Sequence, residues 1–513
     1  MRISEKRLAL AVLVLGTFMA ILDTSIVNIA IPKMMAVFNV GTDQIEWVLT
    51  SYMLTMAVVI PLTGFLGERF GLKRMYIFAL ATFTLGSLLC GLSWSLPTMI
   101  IARIIQAVGG GMIMPISMTL IYRIVPRHKI GLAMGFWGIA AMAAPAIGPT
   151  LGGYLIDYLN WQFIFNVNVP IGIIGVLSSM VLLDHYREDV VKPIDWGGAI
   201  TIAVGLVTLL LALNNGNSDG WTSPYIVSML SAAAISLSLF IYIELNQKEP
   251  LLDLSMLTNY PYLLSVIISI ITTTALFGGI FMTTLYLQNL KGFSPIHAGL
   301  LMLPSSLATA VVMPISGRLF DKYGARPLVI AGMCILAYST YLLGHLSLDH
   351  SYHYIMGILI LRGVGMGFAM MPIQTYSMSE MPNHRVGKAS ALFNTFRQVS
   401  GTFGIALLSS FLVQRETFHY YRVAESLNLN MPNALQASSY FTQQALAHGL
   451  SADSARGLLP GYLYGIMMKQ SVMQGIGDTF LVTFYLTLAG IVLSLFITKI
   501  NKKPVAANAI VAE

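Results

Sequence analysis

Charged residues and cysteines are scarce in this chain. Only 10% of its 513 residues are Asp, Glu, Lys or Arg, against about 25% in a typical soluble protein. Its two cysteines lie in separate hydrophobic stretches, which excludes a disulfide framework and a cysteine metal site. The sequence also lacks a Gly-x-x-x-x-Gly-Lys-Ser/Thr loop, an HExxH pattern and a GxSxG pattern. We therefore expect no ATP drive, no metal or other cofactor, and no enzymatic activity.

Long apolar stretches are abundant in this chain. Hydrophobic residues make up 56% of the chain, and roughly 20 consecutive apolar residues suffice for one membrane-spanning helix. The runs predict an all-α polytopic membrane protein with fourteen spans, the first near 8–31 and the last two near 388–413 and 479–498. The seventh, near 197–213, is short.

The distribution of basic residues predicts the orientation. If the N-terminus is cytoplasmic, 20 of the 29 Lys and Arg fall on inside segments, and the short outside loops hold only Lys33 and Lys291. This bias is typical of the positive-inside rule. It predicts a bacterial cytoplasmic-membrane protein with both termini inside. Because the net charge of +7 is spread over short loops, it does not indicate nucleic-acid binding.

Asp23 stands out because it lies inside the first span. A carboxylate there costs about 2.5–3.5 kcal/mol on insertion scales, so such a group usually faces the protein interior and serves a function. Gly16, Ala20, Val27 and Ala30 share its helix face, a small-residue stripe suited to close packing. Asp23 is therefore predicted to point into the protein.

The chain also contains an internal repeat. The loop from Gly64 to Arg74 and the loop from Gly317 to Pro327 both read Gly-x-Leu-x-acid-base-aromatic-Gly, 253 residues apart. A weaker echo places Arg103 before one Met-Pro stretch and Arg362 before another. Two six-span halves separated by two further spans explain both echoes. Such repeats are common in secondary transporters, which bind substrate between the halves.

With these residues the chain resembles the major facilitator superfamily, and within it the fourteen-span EmrB/QacA-type drug:proton antiporters. Three further stretches carry this resemblance: Leu22 to Pro32, Ala144 to Gly153, and Asn160 to Gly172. The span around Arg103 also fits, although Ala107 stands where the family usually has Gly. The resemblance implies a major facilitator fold with two six-helix bundles, at 1–190 and 256–513, and two linker helices within 191–255.

The resemblance also implies roles for two sets of residues. The paired loops look like the family's cytoplasmic gating motif, whose inter-half salt bridges close the inward gate; the plainer alternative is orientation and turn formation. The fifth-span stretch looks like the antiporter motif, a bend that seals the pathway; the alternative is tight packing. The gating residues are Gly64, Glu68, Arg69, Gly71, Arg74, Gly317, Asp321 and Gly324. The antiporter-motif residues are Pro145, Gly148, Pro149, Gly152 and Gly153.

Depth arithmetic links Asp23 to Arg103. At about 1.5 Å per helical residue, both side chains lie roughly 8–9 Å below the outer edge of the membrane core. We expect them to pair when Asp23 is ionised, and we expect protonation of Asp23 to break the pair and change the packing of two spans. The alternative is a static ion pair. Protons would be the coupling ion.

Arg397 poses a second charge problem, because it lies near the middle of the thirteenth span with no acidic residue at matching depth in the second half. It must line a cavity or meet a helix carbonyl, and Arg362 raises the same question. Apolar, aromatic and isolated polar side chains are the usual walls of a drug site. The candidates for such a cavity are Asn28, Gln106, Met114, Trp137, Phe277, Phe281, Tyr286, Gln288, Asn394 and Arg397.

Segment 414–478 is the one large non-membrane piece, predicted to lie outside. Stretches 434–448 and 455–474 are expected to form short amphipathic helices. In a host with two membranes, the resemblance implies docking of a periplasmic adaptor and an outer-membrane channel. The sequence as a whole predicts a proton-coupled multidrug efflux antiporter for hydrophobic or cationic toxic compounds. The alternatives are a dedicated exporter of a metabolite, siderophore or lipid, and a non-transporting sensor.

Overall fold

The structure, a computed structural model, describes residues 3–184, 195–247, 249–379, 381–382, 385–426, 432–447 and 451–498. Within these ranges the secondary structure is helical. Thirteen helices are long and apolar enough to cross a membrane, and a bent helix supplies a fourteenth. The predicted fold class and span count are therefore confirmed. The predicted domain boundary at 190/191 lies outside the described residues.

The fourteen spanning helices are numbered in chain order. They are α1 Ile3–Phe38, α2 Trp47–Phe70, α3 Leu72–Gly91, α4 Leu96–Ile124, α5 Ile130–Tyr158, α6 Asn168–Leu182, α7 Trp196–Asp219, α8 Pro224–Asn246, α9 Tyr260–Leu285, α10 Pro295–Tyr323, α11 Ala325–Gly344, α12 Tyr352–Ser379, α13 Val386–Ser426 and α14 Ala452–Ser494. Short helices at Thr42–Ile45, Arg127–Lys129, Phe163–Asn166, Leu254–Thr258, Tyr286–Leu290 and Pro432–Ala447 connect or extend them.

Local sequence explains several helix ends. Ser95 and Thr98 form a capping box at the start of α4, which begins with Pro at its second position. The two repeated loops each turn on a glycine with positive φ, 89° at Gly71 and 82° at Gly324. Other residues rarely adopt this conformation, so these glycines permit the immediate reversal from α2 to α3 and from α10 to α11.

The helices form two six-helix halves, α1–α6 and α9–α14, joined by the linker pair α7 and α8. Within the first half, α1 packs on α5 and α6, and α4 packs on α2 and α3. The linker helices pack on each other, and α7 also contacts α2 and α13, so it touches both halves. Between the halves, α5 packs on α10 and α2 packs on α13.

Contacts between the halves gather at the terminal end, the end of the bundle where α1 begins and α14 ends. Here the Tyr122 hydroxyl donates to the Thr375 carbonyl at 3.0 Å, and the Ser390 hydroxyl donates to the Pro115 carbonyl at 3.1 Å. These bonds join α4 to α12 and α13. The charge pattern predicts that this end is cytoplasmic.

The segment 414–478 differs from its prediction. It is not a loop with two short helices, because α13 runs on to Ser426 and α14 already begins at Ala452. The predicted helix at 455–474 is therefore wrong as a separate element, whereas Pro432–Ala447 is a separate helix near the other predicted stretch. α14 has 43 residues, or about 65 Å at 1.5 Å per residue, roughly twice the membrane core. Polar residues after Val413 still favour helix, so polarity did not mark a helix end.

The fifth span is bent, as its prolines suggest. The segments Arg127–Pro145 and Thr150–Tyr158 meet at 47°. Proline removes a backbone hydrogen bond and its ring crowds the preceding turn, which is a common cause of such bends. The bend divides α5 into a part that faces α10 and a part that faces α1.

Candidate functional site

Asp23 lies at the centre of a fully buried polar cluster in the first half. Its carboxylate accepts three hydrogen bonds: from Arg103 Nη1 at 2.6 Å, from Gln106 Nε2 at 2.8 Å and from Asn168 Nδ2 at 3.0 Å. Asp23, Gln106 and Asn168 are each 0% exposed, and Arg103 is 1% exposed. The structure thus brings together the two residues that the depth argument paired.

Arg103 also has partners other than Asp23. Its Nη1 donates to Gln106 Oε1 at 2.6 Å and its Nε donates to the Val48 carbonyl at 3.2 Å. The guanidinium carbon lies 4.0 Å from the centroid of the Tyr52 ring, within cation–π distance. The cluster therefore ties α1 to α2, α4 and α6, and Gln106 extends it to Ser87 on α3.

Protonation of Asp23 would change both the charge and the hydrogen bonding of this cluster. An ionised carboxylate only accepts hydrogen bonds, whereas the protonated acid also presents a donor and loses its charge. Protonation of Asp23 would leave the buried Arg103 cation without its counter-charge, which is costly in a dry interior. The arrangement therefore links the charge of Asp23 to the contacts that join α1, α2, α4 and α6.

Asn168 and Ser87 were missed from the sequence. Asn168 lies in the stretch that carries the family resemblance, at the start of α6, but its spacing alone does not aim it at Asp23. A polar residue at the start of a membrane helix is often a cap. Its burial and its hydrogen bond to Asp23 become visible only once α6 is packed against α1.

The antiporter-motif residues pack against α1 beside Asp23. A methyl group added at Gly148 would lie 2.5 Å from Ser25 Oγ, and one at Gly152 would lie 2.8 Å from Ile26 Cγ1. The Ser25 hydroxyl donates to the Pro145 carbonyl at 3.1 Å. Gly153 instead has nothing within 4 Å of an added methyl group, and the side chain of Pro149 lies outside the described residues. The motif therefore allows close approach of α5 to the turn of α1 that follows Asp23.

The two gating loops contact the opposite half in different ways. Glu68 Oε2 lies 3.8 Å from Lys388 Nζ, an ion pair between α2 and α13. Asp321 instead accepts hydrogen bonds from the backbone N–H groups of Gly131, at 2.9 Å, and Leu132, at 3.0 Å, at the start of α5. The second loop therefore caps a helix of the opposite half through its acidic side chain.

The first glycine of each loop permits close packing between the halves. A methyl group at Gly64 would lie 2.9 Å from Lys388 Cα, and one at Gly317 would lie 2.7 Å from the Gly131 carbonyl carbon. Among the remaining gating residues, the Arg69 guanidinium lies 5.5 Å from the Phe70 ring and Arg74 is exposed.

The cavity candidates separate into three groups. Gln106 belongs to the Asp23 cluster. Three others are held in packed surroundings: Trp137 Nε1 donates to Ser117 Oγ at 3.0 Å, the Tyr286 hydroxyl donates to the Ser347 carbonyl at 2.8 Å, and Asn394 Nδ2 donates to the Ser390 carbonyl at 2.8 Å. Asn28 and Phe277 are exposed, and Met114, Phe281 and Gln288 are partly buried.

The side chains of Arg362 and Arg397 have different surroundings. Arg362 Nη2 donates to the carbonyl oxygens of Ala275, at 2.5 Å, and Leu276, at 3.4 Å, so it uses helix carbonyls. Arg397 lines a small cavity in the second half, with Ser269, Thr272, Thr273, Met370, Ile373, Gln374 and Phe393. The sequence left two alternatives for these arginines, a helix carbonyl or a cavity. Arg362 meets helix carbonyls and Arg397 lines a cavity.

Two six-helix halves around a linker pair, a sealed terminal end and a buried charge cluster define a multi-pass membrane transporter. Residues 13–405 match the Major Facilitator Superfamily. The chain belongs to this superfamily.

Relatives extend over most of the chain. It is 38% identical over 494 residues to the uncharacterized MFS-type transporter YhcA of Bacillus subtilis, covering 96% of this chain and 93% of that protein. It is 30% identical to the multidrug export protein EmrB of Haemophilus influenzae, covering 85% and 89%. It is also 30% identical to the fatty acid resistance protein FarB of Neisseria gonorrhoeae, covering 85% and 86%. The resemblance to the EmrB-type transporters is thus confirmed.

Proposed function

We propose that the protein is a proton-coupled exporter of amphipathic toxic compounds that works by alternating access. The observation that carries this proposal is the fully buried cluster in which Asp23 pairs with Arg103. A proton on Asp23 neutralises the one carboxylate of the cluster and loosens the joint between α1, α4 and α6. That joint is a two-state element that proton binding and substrate binding would both bias.

The contacts between the halves support the second part of the proposal. The terminal end is held by the Glu68–Lys388 ion pair and the Asp321 cap, and the charge pattern predicts that this end is cytoplasmic. The described conformation then corresponds to the state closed toward the cytoplasm. Each proton that enters along the membrane potential supplies about 2.3 kcal/mol per 100 mV, which is an adequate driving force.

The EmrB relative is named as a multidrug export protein, which favours a broad range of exported compounds. We place this export at the cytoplasmic membrane, as the charge pattern predicts. The test is ethidium accumulation in bacteria that lack their own pumps. We expect intact protein to lower accumulation, and we expect both Asp23→Asn and a protonophore to abolish this effect. Asp43→Asn, at an exposed acid in a short connecting helix, serves as the matched control and should export normally. Membrane expression of each variant is measured in parallel.

Full export by Asp23→Asn would contradict proton coupling through this residue. Unchanged accumulation with intact, expressed protein would contradict broad drug export and favour a second candidate, a dedicated lipid exporter. The FarB relative, named for fatty acid resistance, supports that candidate. Growth of the same cells on long-chain fatty acids separates the two, because only a lipid exporter would raise the tolerated concentration. Co-expression of an adaptor protein controls for a missing partner.

A further inference from the structure

The cavity beside Arg397 is lined by polar side chains, and among the described residues Thr273 and Arg397 have no hydrogen-bond partner there. It lies between α9, α12 and α13, and its polar lining comprises Ser269, Thr272, Thr273, Gln374 and Arg397. Arg397 follows Val386, the first residue of α13, by eleven residues, about 17 Å along the helix. This places the cavity inward from the Ser390–Pro115 contact that joins the halves.

Arg397 differs from the other two arginines buried in the spans. Arg103 meets a carboxylate and Arg362 meets backbone carbonyls. Within the described ranges Arg397 is partly buried and makes neither a hydrogen bond nor an ion pair. A guanidinium carries five N–H donors and no acceptor, so this group needs an acceptor from outside the described side chains.

A second observation points the same way. Thr273 Oγ1 is buried and has no hydrogen-bond partner among the described residues, and Thr273 is 1% exposed. Gln374 Nε2 reaches only the Met118 sulfur, at 3.2 Å, and thioether sulfur is a weak acceptor. Buried polar groups normally find partners, so an unused cluster of donors facing a cavity indicates a ligand rich in acceptors.

The charge around the cavity favours an anion. No acidic residue is among the lining side chains, and the buried Asp23 carboxylate of the first half is already paired with Arg103. Across α4 the cavity meets Met118, which is neutral. A positive group without a counter-charge near the middle of a membrane protein attracts a negative ligand and repels a cation.

We propose that this cavity binds the carboxylate head group of an amphipathic organic acid, and that Arg397 selects such acids among the exported compounds. This inference rests on the proposed export function and adds a preference for acids at this one site. Met370, Ile373 and Phe393 supply the apolar wall beside the head group. The enclosed space beside Arg397 is about the size of one water molecule, so only the carboxylate oxygens of the acid would enter it and the chain would lie outside.

Binding is measured with purified full-length protein in lipid nanodiscs, using dansyl-labelled undecanoic acid and its primary amide. The two probes share the tail and differ in head-group charge. Empty nanodiscs correct for partitioning into lipid. We expect the intact protein to bind the acid about tenfold more tightly than the amide, the effect of one charge-assisted hydrogen-bonded pair.

Arg397→Gln should remove the preference for the acid, and Arg397→Lys should keep part of it because the charge remains without the bidentate fork. Gln398→Ala is the matched control, since the next residue of α13 is turned about 100° away and does not line the cavity. Asp23→Asn should still prefer the acid, because the assay has no proton gradient. Loss of ethidium export in that variant therefore tests the export mechanism and leaves this inference intact.

Three results would overturn the proposal. One is equal affinity of the intact protein for acid and amide. Another is an acid preference that survives Arg397→Gln in folded, monodisperse protein. The third is binding of inorganic phosphate that is lost in Arg397→Gln, without binding of the dansyl acid, which would identify a site for small inorganic anions.

Discussion

The two halves of the molecule hold a buried arginine at corresponding places and satisfy it in different ways. In the first half, Arg103 meets the Asp23 carboxylate at 2.6 Å. In the second half, Arg362 meets the carbonyls of Ala275 and Leu276. The second half therefore has a buried arginine in its fourth span, as the first half does, but backbone carbonyls take the place of the carboxylate.

The difference shows where a proton can act. A carboxylate changes charge and hydrogen-bonding character when it is protonated, whereas a backbone carbonyl does neither at ordinary pH. Of these two arginine sites, the first is therefore the one at which we propose that protons act. The second is a fixed joint between α12 and α9.

The same contrast recurs at the terminal end. Glu68 of the first loop forms a side-chain ion pair with Lys388, and Asp321 of the second loop caps the start of α5 through backbone N–H groups. In both cases an acidic residue from one half holds the other half. The second contact is the closer, because its hydrogen bonds are 2.9 and 3.0 Å and the ion pair spans 3.8 Å.

The largest effect is expected when the two arginines are replaced by methionine. Arg103→Met leaves the Asp23 carboxylate buried without its cation, and breaking one side of a buried pair costs about 3–5 kcal/mol. Arg362→Met removes a charge bound only to carbonyls, which an apolar residue of similar size replaces at a cost within about 1 kcal/mol. Unfolding of both purified proteins in denaturant titrations gives the two free-energy changes. Similar losses in the two variants would contradict the comparison.

A methyl group on the interface glycines tests the two closed-end contacts. Gly317→Ala and Gly64→Ala each drive a carbon against backbone of the opposite half, and such overpacking typically costs about 1–3 kcal/mol. The cost falls on the closed state alone, so the equilibrium should shift toward opening at the terminal end. Gly317→Ala should act more strongly, because its new methyl group comes nearer to backbone.

The shift is measured as maleimide labelling of Ser390→Cys, a buried position at this end. The background carries Cys90→Ser and Cys334→Ser, since Cys334 is exposed. We expect labelling to be roughly tenfold faster, which corresponds to about 1.4 kcal/mol. Gly153→Ala, where an added methyl group meets nothing within 4 Å, should label at the parent rate. Unchanged labelling in Gly317→Ala would show that this contact does not control opening.

Neutralising the two acidic residues separates the ion pair from the helix cap. Asp321→Asn loses the negative charge at the N-terminus of α5, which we expect to favour opening by about 1 kcal/mol. Glu68→Gln weakens a longer pair and should favour opening by less than that. The same Ser390→Cys labelling assay ranks them. A larger effect of Glu68→Gln would reverse our assignment of the stronger contact.

Sequence predicted the parts of the molecule that depend on apolar length and on position along a helix. Fourteen spans follow from hydrophobic runs, and the level of Asp23 with Arg103 follows from a rise of about 1.5 Å per residue. Both depend on one coordinate, depth in the membrane. The two six-span halves follow from the repeated loops.

Contacts that depend on rotation about a helix axis could not be predicted. Asn168 reaches Asp23 and Asp321 reaches the start of α5 only because neighbouring helices are turned and packed in one way. The position of Arg397 predicted that its charge meets either a cavity or a helix carbonyl, but the sequence did not distinguish the two. The extensions of α13 and α14 were missed because a change from apolar to polar residues marks the membrane edge and not the end of a helix.

The smallest effect is expected at the extensions of α13 and α14, which are a further difference between the two halves. In the first half α5 ends at Tyr158 and α6 begins at Asn168, while the corresponding α13 and α14 run on together. They are joined where Asp478 accepts from Arg415 Nε at 2.6 Å and lies 2.7 Å from His419 Nε2.

Asp478 and Arg415 are each about 30% exposed, and a partly exposed pair contributes about 1 kcal/mol or less. Asp478→Asn should therefore speed hydrogen exchange in residues 414–426 by up to about fivefold and leave the Asp23 cluster unaffected. Glu425→Gln, an exposed acid on the same extension, is the control and should not change exchange. If Asp478→Asn instead altered exchange around Asp23, the extensions would be coupled to the first half. The proton-responsive part of the molecule would then reach beyond the half that contains the carboxylate.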